Sequence, residues 1–161
     1  MVMKIKSDDE GTRAVATNRK AFHDYHVLDK LEAGVMLRGT EVKSLREGRA
    51  NLTDSYVQVR SGEAFLLNVH ISPYSHGNIE NHDPTRSRKL LLHKRQIERL
   101  EAEMMRKGLS IVPLRLYFRG GRVKVEIGVV RGKKLYDKRE TDKRREADRE
   151  AAAAVKNSRN S

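Results

Sequence analysis

The sequence predicts a mainly β protein with helices: an antiparallel barrel with short helices packed on it and a basic C-terminal tail. Three observations predict it. Two pairs of alternating apolar segments flank glycine-bearing turns, Ser61-Gly62 and Gly120-Gly121, as β-hairpins do. Before residue 131 only two segments carry the three-and-four spacing of a helix. Beyond Arg131-Gly132 apolar residues almost vanish while charges of both signs continue.

The elements follow in order. Residues 1 to 16 are polar and unpatterned and are expected to form a flexible N-terminal segment. The run Tyr25-His26-Val27-Leu28 predicts a strand. Glu32 to Leu37 predicts another, entered past Gly34. Thr40 to Arg46 fits a short helix, with Thr40 as cap, Val42 and Leu45 on one face and Gly48 as its stop. Ser55 to Arg60 alternates, with Val57 and Val59 on one side. It turns at Ser61-Gly62 into Glu63 to Ile71. Ser72 to Arg88 holds two prolines, Pro73 and Pro84, and predicts a long loop, a kind of segment that often carries function. His93 to Lys107 has Ile97, Leu100 and Met104 at helical spacing, with Gly108 as stop. Ile111 to Arg119 places Leu114, Leu116 and Phe118 on one side, and Arg122 to Val130 answers with Val123, Val125, Ile127 and Val129. Hairpin-joined strands with two inserted helices suggest an OB-fold-like antiparallel β-barrel over residues 17–131. Residues 132–161 are the basic tail, expected to be disordered when free and helical inside a polyanionic channel.

Lysine and arginine number 34 against 22 acidic residues, a formal net charge of +12 on 161 residues. Self-repulsion of that size weakens a compact state, so it calls for a polyanionic partner. Nucleic acid comes first, because displacing counterions from phosphates drives binding. An anionic membrane surface comes second. Cysteine is absent, which excludes disulfides and thiolate chemistry. Neither an apolar leader nor a run of about 20 apolar residues is visible, so the expected location is the cytoplasm.

Enzyme signatures are missing. The six histidines form no HExxH pair, and His23 with His26 make only half of a metal site. His82-Asp83 lacks the acidic cluster of a nuclease. No cofactor is implied. The basic residues are placed more tellingly. Arg115, Arg119, Arg122 and Lys124 fall on the outward side of the last hairpin with Tyr117 among them. A base-stacking platform and an ordinary solvated face with Tyr117 packed at its edge both fit that pattern. Arg86, Arg88 and Lys89 form a second basic group ahead of Leu90-Leu91-Leu92, which read as mostly core. In the tail, Glu140 with Arg144, Asp142 with Arg145 and Glu146 with Arg149 stand at helix spacing without an apolar stripe.

Several ordered stretches resemble the SsrA-binding protein family: Asn18-Arg19-Lys20-Ala21-Phe22-His23-Asp24-Tyr25, Gly39-Thr40-Glu41-Val42-Lys43-Ser44-Leu45-Arg46, Ala50 to Val57, Asp83 to Leu92, Lys124 to Gly128, and Gly132-Lys133-Lys134 followed by Asp137-Lys138-Arg139. The resemblance runs from about residue 16 to 150. It implies an OB-like barrel that binds the tRNA-like part of transfer-messenger RNA. The pair would enter a stalled ribosome with elongation factor Tu in the delivery complex, with no membrane involved. The barrel would take the place of the missing anticodon arm and the tail would occupy the empty message channel. By this resemblance Glu32 and Leu91 hold the RNA. His93 stands beside Leu91 at a position where relatives can carry asparagine. Asn18, Arg19 and Lys20 join Arg86, Arg88, Lys89 and Lys124 as the remaining RNA-facing residues. His23 and Tyr25 match an aromatic pair near the decoding centre. Lys133, Lys134, Asp137, Lys138 and Arg139 match the tail segment needed on the ribosome. The alternative is a ribosomal or other structural RNA-binding protein with an OB-type core. The mixed charge of the tail favours transient insertion over a purely basic filler.

Overall fold

The computed structural model describes residues 11–75 and 81–160, with side chains at all of these except 135–137 and 154–160. Among the described residues nine strands and four helices follow one another: β1 Thr12–Thr17, α1 Arg19–Asp24, β2 Tyr25–Val35, α2 Gly39–Arg46, β3 Ala50–Asn51, β4 Tyr56–Arg60, β5 Glu63–Leu67, β6 His70–Ile71, β7 Arg88–Leu91, α3 Lys94–Met104, β8 Leu109–Arg119, β9 Arg122–Gly132 and α4 Leu135–Asn160. Seven strands form one antiparallel sheet in the order β1-β8-β9-β2-β7-β5-β4, and β3 with β6 forms a separate short ladder. The sheet curls until β4 reaches β8, and no ladder joins its end strands β1 and β4 among the described residues.

Both predicted hairpins are present. Ser61 and Gly62 have φ of 52° and 76°, and Gly120 and Gly121 have 56° and 78°. Two successive positive φ values make a turn whose twist matches that of the flanking strands. β2 differs from its prediction: one strand of eleven residues replaces two shorter ones, and a bulge between Val27 and Asp29 leaves Leu28 exposed. β1 was not foreseen. Thr12–Thr17 pairs with β8 at the sheet edge, where the ladder comes from backbone groups and needs no apolar alternation. Residues 1–10 of the expected flexible segment and 76–80 of the expected long loop lie outside the described residues. α2 starts one residue early, with Arg38 as its cap and Thr40 inside it.

The inner face of the sheet carries the main core. Val123, Val125, Ile127 and Val129 of β9 meet Ile111, Leu116 and Phe118 of β8, Leu66 of β5, Leu90 of β7, Leu45 of α2 and Leu100 of α3. A second, smaller cluster lies on the outer face, where α1 covers one end: Ala21, Val112, Leu114 and Val130, with Phe22, Tyr25 and Val27 against them. The sequence placed Leu114 beside Leu116. A bulge between Pro113 and Arg115 breaks the alternation and turns Leu114 outward. Gly128 makes room for it, since a Cβ there would stand 2.7 Å from Leu114 Cδ1.

Polar groups also build the interior. Glu41 and Arg88 are both 0% exposed and pair at 2.5 Å. Glu41 also accepts from Arg86 at 2.6 Å and from the Arg38 backbone N–H at 2.8 Å. Arg88 donates onward to the carbonyls of Val69 and Pro84. Buried His82 bridges the Thr40 hydroxyl and the Ile71 carbonyl. A carbonyl only accepts, so Nε2 carries the proton and donates.

Burial pushes the Glu41 carboxyl up. Hydrogen bonds from Arg86, Arg38 and Arg88 outweigh it and leave the pKa below its ordinary 4.5. A carboxylate with a depressed pKa stabilises the fold above its unfolded value and loses that effect as pH falls through its native value. Glu41→Gln therefore flattens the acid limb of stability below pH 4.5, read by denaturant melts across pH. Glu41→Ala leaves Arg88 buried without a counter-ion and costs about 3–5 kcal/mol at neutral pH. The β9 register yields a second test. Val125 is fully buried whereas Lys124 lies on the outer face. Val125→Asp unfolds the protein and Lys124→Ala leaves its melting temperature within a degree or two; equal losses in thermal melts would contradict this register.

Candidate nucleic-acid interface

Where α1 does not cover it, the outer face of the sheet is open and mostly basic. The ladders set Arg115 of β8 opposite Glu126 of β9, Tyr117 opposite Lys124 and Arg119 opposite Arg122. They set Glu126 opposite Glu32 of β2, and Lys124 opposite Gly34. Gly34 in turn faces Leu91 of β7. One side of four strands thus carries Lys30, Lys89, Arg115, Arg119, Arg122 and Lys124, broken by Glu32 and Glu126.

Gly34 explains the shape of this face. It has no side chain between Leu91 and Lys124, and a Cβ there would come within 3.2 Å of the Leu91 Cβ. A groove follows, lined by Glu32, Gly34, Glu63, Lys89, Leu91, His93, Gln96 and Lys124 among others. Leu91 is 53% exposed on its wall, while Leu90, one residue earlier on the strand, is buried. His93 stands just before α3, its backbone N–H donating to Gln96 Oε1 at 2.9 Å. Lys89 pairs with Glu63 at 3.3 Å. Lys124 has no ion pair among the described residues. An exposed apolar side chain between ammonium groups suits a nucleotide, whose base is flat and apolar and whose phosphate is anionic.

Glu32 and Glu126 are direct cross-strand neighbours, an arrangement that like charges destabilise. Each has its own cations. Arg115 and Lys30 stand 3.3 Å and 3.7 Å from Glu126. Glu32 Oε2 accepts from the Tyr117 hydroxyl at 2.5 Å and from Arg119 at 2.6 Å. Burial, then the Glu32 hydrogen bond and charge, hold the Tyr117 phenol well above its ordinary value, so it remains a donor.

A second polar cluster joins α1 to the tail. His23 Nδ1 lies 2.8 Å from Asp24 and Nε2 lies 2.8 Å from Asp142 of α4. Lys138 approaches Asp24 at 3.6 Å. Lys133 donates through its side chain to Thr141 at 2.7 Å and through its backbone to the Asp24 carbonyl at 2.8 Å. The His23 hydrogen bond, with help from Lys138, holds the Asp24 carboxyl below its ordinary value against the effect of burial. Tyr25 opens β2 opposite Gly132. Lys134 and Arg139 are exposed. His23, Tyr25, Lys133, Lys134, Lys138 and Arg139 thus gather at one end of the molecule; the Asp137 side chain lies outside the described residues. The tail, expected to be disordered in the free protein, forms one helix, Leu135–Asn160. Its three anticipated intrahelical ion pairs do not form among the described residues, and Asp142 turns to His23 instead.

Not every predicted RNA residue reaches a surface. Arg88 is consumed by Glu41, and Arg86 is largely so, with a further bond to the Met36 carbonyl. Asn18 is 4% exposed: its Oδ1 accepts from Ala21 N–H, and its Nδ2 donates to the carbonyls of Leu52 and Pro113. These are corrections: Asn18 and Arg88 are framework residues. Tyr117, at 8% exposed, is no stacking platform. Arg19 and Lys20 are exposed on α1, away from the groove, and Lys20 pairs with Asp54. Glu32, Lys89, Leu91, His93 and Lys124 do meet in the groove. Gly34 and Gln96 were missed; the strand glycine was visible as an anomaly, but its partners were not. Among the described residues no cluster of three or more histidine or acidic side chains is placed to hold a metal, and no helix is long and apolar enough to cross a membrane.

The comparisons with known proteins agree with one another. A family model described as SmpB protein matches residues 15–157. The SsrA-binding protein of Syntrophobacter fumaroxidans is 57% identical over 150 residues, covering 93% of this chain and 93% of the relative. That of Pelobacter propionicus is 58% identical over 146 residues, covering 91% and 96%. That of Enterococcus faecalis is 56% identical over 147 residues, covering 91% and 96%. A chain of the solved structure "tmRNA-SmpB: a journey to the center of the bacterial ribosome" superposes with a TM-score of 0.65 at 49% identity, covering 74% of this chain and 85% of that one. A fold, a basic groove and a matching sequence over nearly the whole length lead to one statement: this chain belongs to the SmpB protein family.

Proposed function

We propose that this chain binds transfer-messenger RNA and works with it on stalled ribosomes. One observation carries the reading: in a chain of this family, Glu32, Lys89, Leu91, His93 and Lys124 converge on a single groove of an open basic face. The groove holds the tRNA-like part of the RNA. Leu91 packs on a base or ribose, Lys89 and Lys124 meet phosphates, and Glu32 and His93 make the directional contacts. The chain acts as an adaptor rather than an enzyme, in the cytoplasm, where elongation factor Tu completes the delivery complex.

The α1–α4 end has a separate task. His23 and Tyr25 face the decoding centre, and the helix from Leu135 enters the empty message channel, with Lys133, Lys134, Asp137, Lys138 and Arg139 at its entrance. The exposed charge of both signs along α4 and its lack of an apolar stripe support this division. The unit that holds RNA ends later than Arg131, because β9 pairs through Gly132 and Lys133 N–H is bonded to Asp24.

Truncation after Lys134 separates the two tasks. The shortened protein keeps its melting behaviour and binds transfer-messenger RNA within about threefold of the full chain, yet fails to support tagging of stalled peptides. Lys124→Ala does the reverse: it weakens RNA binding and lowers the slope of log affinity against log salt by about one. Both are read by binding isotherms at several salt concentrations and a tagging assay on the same preparations. Normal tagging by the truncated chain would refute the role of the tail. A full-length protein that binds transfer-messenger RNA no better than an unrelated structured RNA would refute the reading as a whole.

A further inference from the structure

Glu32 is an acid on a face built for a polyanion, and its surroundings are more specific than a charge balance needs. Two donors, the Tyr117 hydroxyl and Arg119 Nη1, converge on its Oε2. Oε1 accepts no hydrogen bond among the described residues. Glu32 lines two depressions, the groove toward β7 and α3 and a neighbouring pocket toward β8 and β1. Tyr117 and Arg119 line only the second. The β8 side therefore engages one carboxylate oxygen and leaves the other without a hydrogen bond among the described residues. Tyr117 is itself buried, with the Arg119 guanidinium 5.5 Å from its ring. At 8% exposed it has little surface with which to touch RNA.

We infer that Tyr117 is a positioning residue for RNA recognition: with Arg119 it pins Glu32 so that Oε1 stands in the groove as a fixed acceptor for one N–H or O–H donor of the RNA. The chemistry follows from the donor inventory. A carboxylate accepts and does not donate, so it rejects a phosphate and a bare base carbonyl and selects an amino group, an imino group or a ribose 2′-hydroxyl. A glutamate on a strand has three rotatable bonds, and an unpinned one would swing toward Lys30 or Lys124 and lose its direction. Two donors on a single oxygen remove that freedom before the RNA arrives, which lowers the ordering cost at binding. The contacts also hold Glu32 against repulsion from Glu126 across the ladder.

This inference rests on the groove being the RNA site, and a double-mutant cycle in the full-length chain tests it separately. Tyr117→Phe keeps the ring and removes only the donor. Glu32→Gln keeps the shape and removes the charge. Affinity for transfer-messenger RNA is measured for the wild type, both single variants and the pair, each at three salt concentrations. Tyr117→Phe alone weakens binding about tenfold, as loss of a hydrogen bond to a charged group does. In the Glu32→Gln background it changes affinity less than about twofold, because the group it acts through is already altered. The salt slope stays that of the wild type, since no phosphate contact is lost. Unchanged affinity in Tyr117→Phe, or effects of the two substitutions that multiply, would overturn the inference. Arg119→Gln run through the same cycle decides the matter should Tyr117→Phe melt below the assay temperature: the same dependence on Glu32 supports pinning, and independence overturns it. Failure of the wild type to bind the RNA would instead count against the proposed function. Transfer-messenger RNA fragments carrying single 2′-deoxy or amino-deleted nucleotides then separate the donor classes, as the modification that costs affinity only when Glu32 is present marks the donor.

Discussion

The Glu41–Arg88 pair is the constraint from which much of this architecture follows. Two ionised groups out of water are costly, and their attraction repays the cost only when every remaining donor and acceptor is satisfied. Here that condition is met by elements far apart in sequence: Arg38 before α2, Arg86 in the incoming loop, and the carbonyls of Val69 and Pro84. The pair therefore does more than neutralise a charge. It fixes α2, the β5–β6 connection and the approach to β7 at one point. Since Arg88 is the first residue of β7, its position sets the register of the whole strand: Lys89 and Leu91 follow at fixed places, Leu91 on the open face and Leu90 in the core. The groove wall is thus a consequence of an ion pair that lies wholly in the interior.

The same economy appears at the other end of the sheet. β9 carries apolar residues on both faces over its last third, because its inner side meets the main core and its outer side lies under α1. Gly128 marks the change from covered to open. On one side of it Val130 is buried; on the other Glu126 and Lys124 begin the basic face. Asn18 holds α1 over this boundary through bonds to Ala21, Leu52 and Pro113. The open face is what remains after α1 has claimed its share.

These particulars decide what a reader of the sequence could and could not see. The two hairpins were legible because alternation and paired turn residues are local signals. α3 was legible for the same reason: Leu100, Ile97 and Met104 do face the core. β1 was not, since an edge strand borrows its hydrogen bonds from a neighbour. The bulge that turns Leu114 outward leaves no local trace, and neither does the burial of Tyr117. The larger failure concerned polar residues. Arg86, Arg88 and Lys89 look alike in a row of letters, yet the first two serve the interior and only Lys89 serves the groove. Charge tells which class of partner a protein has; it does not tell which charges are spent at home. The groove residues Glu32, Leu91 and His93 came into view through resemblance to a family rather than through any local pattern.

One feature of the tail has a mechanical side. Among the described residues, the hydrogen bonds and ion pairs that hold α4 to the body fall at or before Asp142. From there to Asn160 the helix continues for about 27 Å at 1.5 Å per residue. It is a lever with its fulcrum beside His23, and a tilt of about 10° at the fulcrum sweeps the tip through about 5 Å. Aim at the far end is therefore set by a few polar contacts at the near end, and any partner that takes hold of His23 or Asp24 also steers the tip.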